Sequence, residues 1–134
     1  MSLLPPKFNI FYVNRNTHAF SIEKVFSMIK NQLGSSITYQ DGFAPSRYDK
    51  PLSLLRNWFF FLKQRFKHTQ SLDIYHITGV LHYLFVALPR RRTILTIHDC
   101  VKIHQQKGIK KWFAWLLWFK LPCTYFKYIT VVSE

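Results

Sequence analysis

The hydrophobic positions of this chain alternate between short continuous runs and stripes at helical spacing. KFNIFYVN, Lys7 to Asn14, is rich in β-branched and aromatic residues and gives way to a polar segment, which predicts a short buried strand. SIEKVFSMIKNQLG follows at helical period: Ile22, Val25, Phe26, Ile29 and Leu33 share a face, with Ser21 placed to cap the start and Gly34 to stop it. SITYQ predicts a second strand, and the Gly, Pro and Ser of DGFAPSRYDKP predict a loop after it. Just beyond Pro51, Leu55, Trp58, Phe59, Leu62 and Phe66 recur among Arg56, Lys63, Arg65 and Lys67, the pattern of a basic amphipathic helix over Leu54 to Lys67. DIYHITG predicts a third strand, VLHYLFVAL a short helix closed by Pro89, and RTILTIH a fourth strand. A helix from Ile109 to Lys120, ended by Pro122, and a fifth strand in YITVVSE complete the pattern.

Strands alternating with helices imply an α/β fold, a Rossmann-like parallel sheet with helices on both faces in three layers, joined by right-handed crossovers. The length of 134 residues suits one domain spanning residues 1–134. Ser133 and Glu134 have the character of a helix cap and first turn, so the chain is expected to be cut at a joint between elements.

Charge sharpens this picture. Lys and Arg number 19 against 6 Asp and Glu, a formal +13 that favours anionic partners such as phosphates or lipid surfaces. Aromatic residues make up 18% of the chain, more than a small core needs, so some are expected to meet a membrane face or a partner. WFAWLLWF, Trp112 to Phe119, is far shorter than the roughly 20 residues that span a bilayer, so it could lie on a membrane without crossing it. Nucleic-acid binding has only charge and aromatics behind it, with no recognition motif, and is not expected. Cys100 and Cys123 lack zinc or disulfide-framework spacing and are expected to be free thiols. Together with an N-terminus unlike a signal peptide, they predict a cytoplasmic protein.

Ligands of an open parallel sheet bind beyond the carboxyl ends of its strands. That rule selects Asn14, Arg15 and His18 after strand one, Thr78, Gly79 and His82 after strand three, and His98 with Asp99 after strand four. An imidazole titrates near neutrality and a carboxylate neighbour raises its basicity, so His98 and Asp99 could orient or deprotonate a substrate hydroxyl. The same residues could equally cap a turn and bond to backbone, and the residues alone leave both readings open. TGVLHYL could present amides and the His82 imidazole to a ligand, although a lone histidine is more often a satisfied core or surface residue. His76, in mid-strand, is expected to be a hydrogen-bonded core residue. No metal site is expected from these spacings, and neither a Gly-x-Gly-x-x-Gly nor a Walker loop is present. Arg90, Arg91 and Arg92 precede strand four and fall on the opposite rim, as a solvated turn or a contact for lipid phosphates.

SIEKVF after strand one, DIYHITGVLHYLFVALPRRRTILTIHDC in the middle and YITVVSE at the end, in this order and spacing, resemble the N-terminal domain of family 4 glycosyltransferases of the two-domain GT-B architecture. The resemblance covers nearly the whole chain. It implies the acceptor-binding half of a retaining enzyme of hexosyltransferase type, which moves a sugar from a nucleotide-sugar to a glycan, lipid or small-molecule acceptor without a metal. His98 would lie near the transferred sugar with Asp99 beside it, and the Thr78, Gly79 and His82 segment would line the acceptor side. NRNTHAF replaces the family's glycine-rich loop, leaving Arg15 and His18 as contacts for acceptor or phosphate. No cofactor is expected on this chain. The nucleotide-sugar would be held by a missing or separately encoded donor-binding domain, and without it the chain is expected to be inactive. Peripheral contact with the inner face of the plasma membrane is the implied location. The alternative is a non-catalytic basic and aromatic module that docks on an anionic membrane or a partner protein.

Overall fold

Among the described residues five parallel strands form the centre: β1 (Phe8–Asn14), β2 (Ile37–Phe43), β3 (Ile74–Ile77), β4 (Thr93–Ile97) and β5 (Tyr128–Val131), side by side in the order β2-β1-β3-β4-β5. The structure, a computed structural model, describes residues 8–15, 20–47, 50–67, 74–98 and 101–132. The chain steps from β1 outward to β2 and returns to β3 on the other flank of β1. That reversal makes a topological switch point between β1 and β3, where doubly wound sheets open a crevice.

Alternation along the strands sends Phe11, Val13, Tyr75, Ile77, Leu95 and Ile97 to one face, where they form the main core with Phe61, Leu81, Leu84, Leu88, Trp118 and Phe126. Tyr12, His76 and Thr96 project from the other face, which α1 (Phe20–Gln32) covers through Phe26, its ring 5.9 Å from Tyr12 and 5.0 Å from His76. Helical cover on both sides of an all-parallel sheet gives the expected Rossmann-like three-layer α/β fold.

Several elements depart from the expected pattern for identifiable reasons. β2 runs on through Asp41, Gly42 and Phe43, because Gly42 faces the core: a Cβ there would sit 2.3 Å from the Phe11 ring. α2 (Pro51–Lys67) starts on Pro51 itself, where proline suits the first turn. Its stripe is rotated from the expected one. Asn57 and Phe61 are buried, with Leu54, Trp58 and Leu62 packed beside them, while Leu55, Phe59 and Phe66 face outward. Asn57 earns its buried place by bonding to both backbone groups of Ser46, at 3.0 and 2.9 Å, and to the Tyr83 hydroxyl at 2.7 Å.

The expected helix over Val80 to Leu88 is a 3₁₀ turn, His82–Val86. Leu81, Leu84 and Ala87, three residues apart and all buried, match the three-residue period of that helix, and the Leu84 and Ala87 amides donate to carbonyls three residues back. Pro122 does not end its helix. α3 (Val101–His104) precedes α4 (Gly108–Trp115), which widens into a π segment, Leu116–Lys120, and resumes as α5 (Leu121–Tyr125). Proline has no N–H for the carbonyl four residues back and its ring crowds that carbonyl, which here belongs to Trp118. The wider π turn accommodates the ring.

Candidate functional site

Since all five strands run the same way, the residues that follow β1, β3 and β4 gather at one rim, beside the switch point. Thr78 is fixed there by its own amide, 3.3 Å from the Val13 carbonyl, and by its hydroxyl, 2.8 Å from Asn14 Oδ1 and 3.2 Å from the Val13 carbonyl. Asn14 Nδ2 donates in turn to Asp41 Oδ1 at 2.6 Å, and Lys30 of α1 pairs with the same carboxylate. Lys30 also lies over the Tyr12 ring, 4.5 Å from its centroid, so its charge is held by a carboxylate and an aromatic face together. The result is a continuous polar chain from α1 across β2 and β1 to Thr78.

His98 completes the rim. Its Nε2 lies 2.9 Å from the Thr78 carbonyl, and a carbonyl can only accept, so Nε2 carries the proton. In the neutral ring Nδ1 then keeps its lone pair, the arrangement a base or hydroxyl acceptor requires. Phe26 packs edge-on against the ring at 6.0 Å and helps hold its orientation. Arg15 lies beside Gly79, close enough that a Cβ there would be in ordinary contact with it, 3.7 Å from Arg15 Cδ. Arg15, Thr78, Gly79 and His98 are therefore brought together, while His18 and Asp99 lie outside the described residues.

His82 is elsewhere. It is 2% exposed, its Nδ1 donates to the Trp118 carbonyl at 2.7 Å, and Phe119 packs against it at 5.5 Å. That carbonyl is the one Pro122 cannot serve, so the imidazole repairs the break that the proline makes in the helix. The arrangement gives His82 a structural task in the core rather than a place on the rim.

His76 is half-buried beneath the rim, its Nε2 2.7 Å from the Thr96 hydroxyl, which lies 2.7 Å from that of Thr130. Burial first, and the neighbouring His98 second, bring its pKa down to about 4, so it is neutral near pH 7. Burial raises the Tyr12 hydroxyl above its ordinary value, and the Asp41 carboxylate adds to the effect. Sequence reasoning did not single out Asp41 or Lys30. The available signal was Asp41 itself, a rare acid placed two residues after Tyr39 in what proves to be one strand. Among the described residues no group of three histidine, cysteine, aspartate or glutamate side chains could hold a metal ion.

Fold and rim together define a doubly wound α/β fold with an imidazole and a guanidinium at the carboxyl end of its strands. Compared with protein families, curated proteins and solved structures, the chain matches none.

Proposed function

We propose that this chain is the acceptor-binding half of a retaining glycosyltransferase that takes a sugar from a nucleotide-sugar. The observation that carries the reading is the His98 imidazole, which is anchored through Nε2 on the Thr78 carbonyl at the switch-point rim. This leaves Nδ1 to accept a hydrogen bond from a sugar hydroxyl. Thr78 and Gly79 form the floor and Arg15 stands beside them, suited to a phosphate or carboxylate on the acceptor. Asp99 follows His98 in sequence as its proposed partner. The donor and its departing diphosphate would be held by a separate donor-binding domain, since stabilising that charge is worth several kcal/mol in the transition state.

NMR titration of the chain with free and polyprenyl-phosphate-linked sugars should move the Thr78 and Gly79 amides and the His98 ring resonances. Supplying a donor-binding domain and nucleotide-sugar should yield transfer that His98→Ala abolishes. If transfer is unchanged in that variant, His98 only supports the Thr78 carbonyl. If no carbohydrate shifts the rim, the reading fails.

A second reading, docking on an anionic membrane, is favoured by the outer face of α4. Ile109, Trp112, Phe113 and Trp115 are exposed there beside Lys107, Lys110 and Lys111. Aromatic rings interleaved with cations suit the headgroup layer of anionic bilayers. Among the described residues no helix is long and apolar enough to cross a membrane. Binding to phosphatidylglycerol vesicles that is weakened by salt, and absent on phosphatidylcholine, is the expected outcome; sedimentation that ignores lipid charge counts against docking.

A further inference from the structure

Asn14, at the end of β1, is buried and uses both ends of its side-chain amide. A carboxylate can only accept, so the group 2.6 Å from Asp41 Oδ1 is the amide nitrogen, and the Asn14 oxygen is left facing the Thr78 hydroxyl at 2.8 Å. An amide oxygen can only accept in its turn, so the hydroxyl donates. One carboxylate on β2 thus fixes the direction of every hydrogen bond from Asp41 to Thr78. Lys30 balances the charge of that carboxylate without setting the direction of the bonds beyond it. The direction matters because the other bonds of Thr78 are long: its amide lies 3.3 Å and its hydroxyl 3.2 Å from the Val13 carbonyl, at or beyond the upper end of the usual range. Among the described residues, the bond to Asn14 is the tightest hold on the residue whose carbonyl anchors His98 Nε2 at 2.9 Å.

We propose that Asp41 and Asn14 are positioning residues for His98: they lock Thr78 so that its carbonyl holds the imidazole by the Nε2 proton and leaves Nδ1 as the acceptor. Both act through Thr78 rather than on the imidazole itself. An acceptor nitrogen is effective only when it is held within about 0.5 Å of its productive place, so the bonds behind the anchoring carbonyl count as much as the anchor. The inference rests on the acceptor-site reading for the hydroxyl that Nδ1 receives, whereas the holding of His98 is measurable with no ligand present.

A ring N–H held by a carbonyl exchanges slowly with water, so the His98 Nε2 proton signal in the NMR spectrum of the whole chain reports the anchor directly. Asp41→Ala changes an exposed residue, and Thr78→Val keeps the shape of the side chain while cutting its bond to Asn14. Each should speed the exchange by about fivefold to tenfold, the equivalent of one ordinary hydrogen bond. Thr78→Ser restores the donor and should return the rate to within about twofold of the parent. Lys30→Gln, which removes charge but not direction, and Asn57→Ala, which weakens the fold elsewhere, should also stay within about twofold. Should Thr78→Val fail to fold, Asp41→Ala carries the comparison. An unprotected proton in the parent, an unchanged rate in Asp41→Ala or Thr78→Val, or equal acceleration by Lys30→Gln or Asn57→Ala would each overturn the proposal. The two readings separate cleanly: if no sugar shifts the rim while the variants release the proton, the positioning stands and the acceptor reading falls, and sugar binding with an indifferent proton gives the reverse.

Discussion

Asn57 and Tyr75 are both buried polar residues, and they illustrate how much partners matter. Asn57 is fully engaged with Ser46 and Tyr83, so Asn57→Ala would strand a backbone amide, a carbonyl and a hydroxyl. A loss of about 2–3 kcal/mol in urea denaturation is expected. The Tyr75 hydroxyl is buried with no hydrogen-bond partner among the described residues. Tyr75→Phe should raise stability by about 1 kcal/mol in the same assay. His76 gives a pH signature. Its folded pKa of about 4 lies below the ordinary 6.5, so between those values the unfolded chain binds a proton that the fold does not. Stability should therefore fall as pH drops from about 6.5 to 4, by at most about 3 kcal/mol from this group. Urea midpoints across that window should be flatter in His76→Gln than in the parent.

Strands β1, β3 and β4 were legible from their runs of apolar residues, because a strand buried on both faces needs little but β-branched and aromatic side chains. β2 was only half legible. Gly42 carries a turn signal in sequence, yet it sits in the strand because the Phe11 ring occupies the space of its absent side chain. Gly42→Ala should cost about 1–3 kcal/mol through that overlap, measured as a lower thermal midpoint, and Phe11→Leu should recover part of the loss in the double variant. The rotated stripe of α2 has a similar origin. That helix carries apolar residues on two sides, and only the sheet it packs against decides which side is inside. Pro122 carries a stop signal in sequence, yet the helix resumes past a π segment as α5, and His82, forty residues earlier in the chain, bonds to the Trp118 carbonyl that the proline cannot serve.

At the scale of the molecule, 19 basic groups face 6 acids, so the compact state repels itself. Raising NaCl from about 20 to 200 mM should increase the thermal midpoint as the Debye length shrinks. A midpoint that falls instead would mean that ion pairs such as Lys30 with Asp41 outweigh the repulsion. Period and composition by themselves determined the parallel α/β class, the alternation of elements and which strand ends carry Arg15, Thr78, Gly79 and His98, because these follow from local backbone preference and the burial of apolar runs. Only the tertiary structure decided that β1 and β3 are neighbours, that His98 bonds to the Thr78 carbonyl, that Asp41 and Lys30 connect to the rim and that His82 turns into the core. Those are contacts between residues distant in sequence, set by strand order and packing, and no local pattern encodes them.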